Sequence, residues 1–198
     1  MSRMEQKKEQ KRNAILKAAR EIFLSEGYVK AGMDKIADKA RVTKQTVYRY
    51  FPSKEVLFEE TLRSYKDRAG GKCFDQLCKP DTKDALYGFA VEFIQSHLSE
   101  EHLAIFRLLI SESGKAPELT RRFFAVGPRE MEGNLDAFFR DRFQMEETGH
   151  PICVWTGMLL TFRTRVLMGF DPPTRREIEA YAEKTTAFFL RSLPKCDQ

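Results

Sequence analysis

The sequence predicts an all-α protein in which a small amino-terminal domain of three helices is followed by a larger helical domain. Apolar residues recur at spacings of three and four along nearly the whole chain of 198 residues, and this is the period of amphipathic helices. We find no convincing alternation of apolar and polar residues of the kind that half-buried strands require. Caps and turn residues separate the periodic segments, so the helices can be justified in order.

The first four helices are short and have recognisable ends. The apolar face of the first helix consists of Ile15, Leu16, Ala19, Ile22 and Phe23. We expect this helix to end at Gly27, which can adopt a left-handed cap conformation, and a second helix to follow over Met33–Ala40. Thr43 is a good amino-terminal cap for a third helix that ends near Tyr50. Pro52-Ser53 then breaks the chain and caps a fourth helix.

The helices beyond residue 80 are longer and richer in aromatic residues. Lys79-Pro80-Asp81 ends the preceding segment, and apolar residues then repeat from Leu86 to Ile110 and from Leu119 to Phe139. A further helix opens at Gly149-His150-Pro151. It carries an apolar seam suited to a partner helix, formed by Ile152, Trp155, Leu159, Phe162 and Val166. The run Thr174–Glu177 is a capping box for the last helix.

Charge is distributed unevenly along the chain. Residues 1–55 hold 14 Lys or Arg against 7 Asp or Glu, a balance of +7, whereas residues 56–198 hold 20 against 22, a balance of −2. A basic amino-terminal quarter favours a polyanionic partner. A solvated lysine-rich face has the same composition, so charge alone leaves both interpretations open.

The cysteines and the chain start exclude several classes of protein. Cys73, Cys78, Cys153 and Cys196 are too few and too scattered for a disulfide framework, and they lack the partners of a zinc site. Reduced cysteines are expected, with a redox-sensing pair at Cys73 and Cys78 as the alternative. No apolar run approaches the roughly 20 residues of a membrane span, and the charged start is not a secretory signal. We therefore expect no cofactor, no metal, no membrane contact and a cytoplasmic location.

The second and third helices match a helix-turn-helix that reads double-stranded DNA. Its buried side is formed by Ile36, Ala37, Ala40, Val47 and Phe51. On the opposite side, Lys44 can donate to guanine and Gln45 can pair with adenine, while Tyr48 and Arg49 can reach phosphates. The candidate DNA-binding residues are Thr43, Lys44, Gln45, Thr46, Tyr48, Arg49, Tyr50 and Lys54.

The segment from Ala37 to Leu57 resembles the signature of the TetR/AcrR family of transcription regulators, and Ala18–Phe23 and Gly27-Tyr28 are similar to the family's first helix. The resemblance covers residues 12–62. It implies a homodimer whose two helix-turn-helix motifs contact successive major grooves of palindromic operator DNA. Positions that contact DNA in relatives are occupied here by Thr43, Lys44, Thr46, Tyr48, Tyr50 and Lys54.

Two positions depart from the family's pattern. Arg41 stands where the turn usually carries Gly, so either Arg41 adopts an unusual backbone angle or the turn differs. Gly32 caps the second helix where relatives commonly have Thr or Ser, which are stronger caps. Neither change affects the predicted fold, but both bear on the register of the motif on DNA.

The run from Phe106 to Leu119, with Phe123-Phe124 and Gly127-Pro128-Arg129, resembles the AefR-like carboxy-terminal domain of some members. The resemblance implies that this domain binds a small effector and dimerises through the last two long helices, at 151–168 and 175–192. The candidate ligand-binding residues are mostly apolar: Phe89, Phe93, His97, Phe106, Leu109, Phe123, Trp155, Met158 and Phe162. Candidate polar anchors are His97, Arg107, Glu112 and Arg163.

The expected protein is thus a ligand-responsive repressor with a helix-turn-helix DNA-binding domain over 1–55 and an effector-binding and dimerisation domain over 56–198. A mostly apolar effector would release it from DNA, with Gly70-Gly71 as a place to absorb motion. Two alternatives remain. A DNA-binding protein without a ligand needs only the first quarter of the chain. A small helical enzyme is less favoured, because His97, His102 and His150 are dispersed and no nucleophile or phosphate-loop motif is present.

Overall fold

The computed structural model describes residues 2–69, 71–126 and 128–193. These residues fold into helices without any strand, which confirms the predicted all-α class. The helices are α1 (Arg3–Glu26), α2 (Met33–Ala40), α3 (Lys44–Tyr50), α4 (Lys54–Ala69), α5 (Gly71–Leu77), α6 (Thr82–His97), α7 (Glu100–Glu112), α8 (Pro117–Val126), α9 (Pro128–Phe143), α10 (Gly149–Leu159), α11 (Thr161–Leu167) and α12 (Arg175–Ser192). No described helix combines the length and apolar character that a membrane span requires.

The chain forms two compact units that are not continuous in sequence. The first consists of Met1–Asp67 and Ala104–Gly127, and the second of Arg68–Leu103 and Pro128–Gln198. The sequence predicts a different division, with DNA binding over 1–55 and effector binding over 56–198. That division describes function rather than packing, and it stays a prediction. Gly70, half of the predicted hinge, lies outside the described residues, as does Cys196.

The core of the first unit combines α1–α4 with α7 and α8. The predicted apolar face of α1 is buried, and Phe23, Tyr28 and Phe58 meet at ring-centroid distances of 5.3–5.6 Å. Leu109 and Leu119, from α7 and α8, belong to the same buried cluster. The core that supports α2 and α3 is therefore completed by residues of α7 and α8, which lie far from α1–α4 in the sequence.

Several helix ends lie where local sequence chemistry predicts them. Gly27 ends α1 with φ 83°, the Thr43 side chain accepts a hydrogen bond from the Thr46 N–H, and Thr174 and Glu177 form the predicted capping box. Gly32 caps α2 without a side-chain hydrogen bond. The contacts of Thr43 and Thr174 satisfy amide groups that a helix start leaves without intrahelical partners.

Arg41 resolves the question about the turn between α2 and α3. Its backbone is left-handed, with φ 55° and ψ 45°, so the turn keeps its glycine-type geometry with a non-glycine residue. The Val42 N–H then donates to the Ala37 carbonyl at 3.0 Å. A side chain in this conformation costs free energy because Cβ approaches the following carbonyl oxygen.

The core of the second unit is a stack of aromatic rings. Trp155 lies between Phe89, at 5.5 Å, and Phe189, at 5.3 Å, and Phe139 closes against Phe189 at 5.6 Å. The three helices α6, α10 and α12 carry the rings of Phe89, Trp155 and Phe189. This packing uses the seam that the sequence assigned to a partner helix: Ile152, Trp155, Leu159 and Val166 are all buried within the chain.

The prediction of a single helix over 151–168 is wrong, because the helix is interrupted at Leu160, which separates α10 from α11. The Met158 carbonyl accepts hydrogen bonds from the Tyr181 hydroxyl at 2.9 Å and the Thr161 hydroxyl at 2.7 Å. Side-chain hydroxyls that take helix carbonyls compete with the regular ladder. The Tyr181 contact comes from α12, and periodicity within one segment does not report such a contact.

The turn between α6 and α7 brings two histidines together, with ring centroids 4.4 Å apart. The His97 Nδ1 lies 2.8 Å from the Phe93 carbonyl oxygen. Burial lowers the pKa of His97 to about 4. Burial, with the nearby charges of His97 and Arg163, lowers the pKa of His102 to about 2.

Replacing Arg41 by Gly should raise the free energy of unfolding by about 0.5–1 kcal/mol. Relief of the left-handed strain gains about 1–2 kcal/mol, and the greater entropy of the unfolded glycine chain offsets about 0.4–1 kcal/mol of it. Urea unfolding measures the difference. Lys39→Gly, in the last turn of α2 itself, is the control and should lower stability by about 0.5–1 kcal/mol. Lower stability of Arg41→Gly would contradict the strain argument.

Stability should fall as pH drops from about 6.5 towards 4. Over this range the unfolded chain binds protons on His97 and His102, whereas the folded chain keeps both neutral until their own lower pKa values are reached. The expected loss is at most about 1.4 kcal/mol per pH unit for each histidine. Unfolding free energies of His102→Phe should show a smaller pH slope than those of the parent protein. An unchanged slope in His102→Phe would refute this.

Candidate functional site

The helix α3 is held by one buried side and presents the other to solvent. Val47 and Phe51 are fully buried against the first unit's core, and Met33, Ile36 and Ala37 of α2 are buried as well. The two helices are joined by the turn at Arg41–Thr43. This is the geometry of a helix-turn-helix, in which the second helix can enter the major groove while the first supports it.

Most of the predicted DNA-binding residues lie on the exposed side of this motif. Thr43, Lys44, Gln45, Tyr48 and Arg49 are exposed, with 42% of the Tyr48 surface accessible. The described side chains thus place two long donors, Lys44 and Gln45, at the amino-terminal end of α3, where base edges are read. Thr46 and Tyr50 are half-buried.

Lys44 is already engaged by a carboxylate of α2. Its Nζ lies 2.9 Å from the Asp34 Oδ1, and this hydrogen bond raises the pKa of Lys44. Both side chains are well exposed, so the ion pair is screened and weak. A nucleic-acid base or phosphate can therefore replace Asp34 as the partner of Lys44 at small cost.

Lys54 has a different environment from the other predicted DNA contacts. Its Nζ donates to the carbonyls of Tyr28, Val29 and Ala31 at 3.0–3.3 Å and lies 4.5 Å from the centre of the Tyr28 ring. These contacts tie the start of α4 to the loop between α1 and α2, which we call the α1–α2 loop (Gly27–Gly32). A phosphate contact of Lys54 stays a prediction, and it would compete with three carbonyls.

A second charged side chain holds the same loop. Glu112, at the end of α7, is only 7% exposed, and its carboxylate accepts the Val29 N–H at 3.0 Å. A Cβ at Gly27 would lie 3.1 Å from the same carboxylate. Sequence reasoning treated Glu112 as a ligand anchor, but the structure places it in the first unit against the α1–α2 loop. The contact joins residues 83 apart, and nothing local in the sequence signals it.

Other contacts within the first unit support α4. The Arg122 guanidinium donates to Glu59 at 2.9 Å, and the Tyr28 hydroxyl donates to Glu55 at 3.2 Å. Hydrogen bonds from the Arg63 and Arg122 guanidinium groups lower the pKa of Glu59. An ion pair thus links α4 to α8, and a hydrogen bond links α4 to the α1–α2 loop.

The predicted ligand-binding residues do not form one cluster. Phe89, Phe93 and Trp155 are fully buried in the aromatic core of the second unit. Around them, His97, Met158 and Phe162 are half-buried, with Phe162 packed on Tyr181 at 4.9 Å. The remaining members belong to the first unit: Phe106, Leu109 and Phe123. The ligand-binding role of the whole set stays a prediction.

The described cysteines are free thiols. Cys73 is buried, and burial raises its thiol pKa to about 11, whereas Cys78 and Cys153 are exposed. Within the described residues, no group of three His, Cys, Asp or Glu side chains is placed to hold a metal ion.

Two family models match the chain, and together they cover more than half of it. Residues 15–61 match the bacterial regulatory proteins of the tetR family. Residues 84–148 match the carboxy-terminal domain of AefR-like transcriptional repressors. Both matches agree with the resemblance predicted from the sequence.

Curated relatives share parts of the chain. It is 42% identical to the HTH-type transcriptional activator FasR of Mycolicibacterium smegmatis over 60 residues, which are 30% of this chain and 27% of FasR. It is 29% identical to YdeS of Bacillus subtilis, an HTH-type transcriptional regulator, over 131 residues, 66% of this chain and 55% of YdeS. The chain therefore spans between about a quarter and about half the length of these relatives. They are transcriptional regulators rather than enzymes, as predicted.

Solved structures match over nearly the whole chain. The Flavonoid-responsive Regulator FrrA superposes with a TM-score of 0.79 at 26% identity, covering 94% of this chain and 98% of FrrA. A TetR-family transcriptional regulator from Mesorhizobium loti gives a TM-score of 0.78 at 25% identity, with coverage of 96% and 98%. The chain therefore belongs to the TetR family of bacterial transcriptional regulators, with an amino-terminal helix-turn-helix and an AefR-like carboxy-terminal domain.

Proposed function

We propose that this chain is a ligand-responsive transcriptional repressor that binds palindromic operator DNA as a homodimer and is released by a small, mostly apolar effector. The observation that carries the proposal is that α3 exposes a polar side to solvent, while the burial of Val47 and Phe51 holds the helix in place. Lys44 would donate to guanine and Gln45 would pair with adenine in the major groove. Tyr48 and Arg49 would contact phosphates and set the register.

Repression is favoured over activation by the carboxy-terminal half. The matched model over residues 84–148 describes AefR-like repressors, whereas the similarity to the activator FasR covers only 30% of this chain. A repressor that binds an operator blocks transcription by occupying it. A protein acting on bacterial operator DNA works in the cytoplasm, which agrees with the predicted location.

The dimer would form through α10 and α12. The apolar seam of α10 packs against other helices of the same chain, but Val154 on α10 and Phe188 on α12 remain 45% and 59% exposed. Gly157 lies on the same exposed side of α10 as Val154 and has open space where a Cβ would lie, so a second helix can approach closely. A two-fold dimer would place its α3 helices about 34–36 Å apart, one turn of B-DNA.

The effector would be an aromatic molecule. FrrA, with a similar structure, responds to flavonoids, and flat rings stack well on aromatic side chains. In the second unit, the half-buried Phe162, Met158 and His97 border the Phe89–Trp155 stack. Because His97 is neutral down to about pH 4, its ring can hydrogen-bond an effector hydroxyl without a buried charge.

Helix α7 would couple effector binding to DNA binding. Its first residues, including His102, belong to the second unit, and its last residue, Glu112, holds the α1–α2 loop of the first unit. An effector that binds better to a shifted α7 would alter this hold and thereby the placement of α2 and α3. The free energy by which the effector shifts the equilibrium between these two states can be no larger than the difference in its binding free energy for them.

A DNA-binding regulator without an effector is the second candidate. The complete burial of Phe89 and Trp155 favours it, because a fully packed aromatic core leaves those two side chains no surface for a ligand. Thermal unfolding with and without a flavonoid panel separates the two, since a ligand that binds the folded state raises the unfolding temperature.

The function itself is tested by selecting binding sites from randomised DNA with the purified protein and sequencing them. An enriched palindrome supports a dimeric operator-binding protein. DNA retained without any common motif would contradict sequence-specific regulation.

Removing the two proposed base contacts should have effects specific to single base pairs. Gln45→Ala and Lys44→Ala should each weaken binding to the selected operator by about 1–3 kcal/mol and relax selectivity at one position per half-site. Arg49→Gln, a phosphate contact, should weaken all sequences equally. Fluorescence anisotropy on operators with single base changes measures this. Unaltered selectivity in both Ala variants would exclude direct reading by these residues.

Removing the Glu112 carboxylate should loosen the α1–α2 loop. Glu112→Ala leaves the Val29 N–H without its charged acceptor, so the free energy of unfolding should fall by about 1.5–3 kcal/mol, and operator affinity should fall as well. Glu112→Gln, which keeps an acceptor, should reduce both by a smaller amount. The exposed Glu118→Ala is the matched control on α8. If Glu112→Ala is less stable yet binds the operator normally while folded, Glu112 does not position the motif.

A further inference from the structure

The amino-terminal half of α1 lies outside the hydrophobic core. Helix α1 begins at Arg3, where Ser2 and Glu5 form a capping box, and its first buried residue is Ile15. Every residue from Arg3 to Ala14 is exposed except Arg12, which is half-buried. The tetR-family match also begins only at residue 15. Three helical turns are therefore maintained without apolar packing of their own, so their role is not to fill the core.

These turns carry an excess of positive charge on one side. Residues 3–13 contain more Lys and Arg than Glu. Arg3, Lys7 and Lys11 are four residues apart, so they lie on one face of the helix over about 12 Å, and Lys8 lies beside them. No salt bridge to these four side chains occurs among the residues that the structure describes. Their charges are available to an external anion.

Contacts with neighbouring residues fix where this face lies. The Tyr50 hydroxyl, from the last residue of α3, donates to the Lys8 carbonyl at 3.3 Å. One turn later, Arg12 forms an ion pair with Glu60 of α4 and lies over the Phe51 ring at 5.8 Å. The basic turns of α1 are thus held against the carboxy-terminal end of α3, beside the surface that is proposed to enter the major groove.

We propose that Lys7, Lys8 and Lys11 form a second DNA-binding site, which takes the phosphates of the duplex flanking each operator half-site. The inference rests on the proposed function, because it needs the operator to place α3. A helix in the major groove leaves the sugar–phosphate backbone next to its end, and lysine ammonium groups bind phosphates as point charges without reading sequence. The site therefore adds affinity and salt dependence but no base preference.

The test compares K7Q/K8Q/K11Q with the parent protein on two operator duplexes, one trimmed to the palindrome and one extended on both sides. Gln keeps helix propensity close to that of Lys. The matched control is K72Q/K83Q/K184Q, which removes three exposed lysines from the second unit. Dissociation constants are measured over a range of salt concentrations, and unfolding midpoints confirm that all three proteins are equally folded.

The parent and control proteins should bind the extended duplex more tightly than the trimmed one, and this difference should disappear in K7Q/K8Q/K11Q. On the extended duplex, the slope of log K against log salt should become less steep by about 2.7 per subunit, or about 0.9 for each phosphate that is no longer neutralised. Base preference at the half-sites should stay the same. Equal slopes and equal flank dependence in all three proteins would overturn the inference while leaving operator binding intact. A parent protein that selects no operator overturns the proposed function instead.

Discussion

The structure of the first unit depends on the backbone of the α1–α2 loop, which is held by opposite charges from two directions. Lys54 donates to three of its carbonyls, and Glu112 accepts one of its N–H groups. Backbone groups of a short loop need partners when water is excluded, and charged partners make the strongest hydrogen bonds. Because α2 follows this loop directly, the placement of α2, and of α3 after it, depends on α4 and α7 together.

This arrangement explains why the helix-turn-helix tolerates weak local chemistry. Gly32 provides no side-chain cap, and Arg41 sits in a left-handed conformation that favours glycine. Each of these features lowers the stability of α2, one at its start and one at its end. Burial of Ile36 and Val47, and the hydrogen bonds that Lys54 and Glu112 make with the loop backbone, outweigh them, since the helix-turn-helix geometry is retained.

Local chemistry also accounts for how much the sequence could predict. The ends at Gly27, Thr43 and Thr174 were predictable because each depends on residues within a few positions. The capping box at Ser2 and Glu5, which we did not predict, is just as local. The exposed side of α3 followed from its period. The interruption at Leu160 was not predictable from its own segment, because it involves Tyr181.

The position of Glu112 at the candidate site, like the interruption at Leu160, could not be predicted from neighbouring residues in the sequence. A buried carboxylate near aromatic residues is typical of a ligand anchor, and no local pattern distinguishes that from a contact with a loop 83 residues away. Likewise, the seam of α10 has the period of an interface in any helix pair, and only the position of α6 and α12 shows that it is filled from within.

The discontinuity of the first unit has a consequence for the evolution of such proteins. Leu109, Ala116 and Leu119 fill the core beneath α1–α4, so a gene fragment that encodes only residues 1–67 lacks part of its own interior. A recombination event that joined these residues to an unrelated partner would leave that apolar surface open to water. Inheritance of the helix-turn-helix is therefore tied to a short piece of the carboxy-terminal half, Ala104–Gly127. Exchange of whole chains is the route that preserves both cores, because a crossover after residue 127 would divide the second unit between two parents.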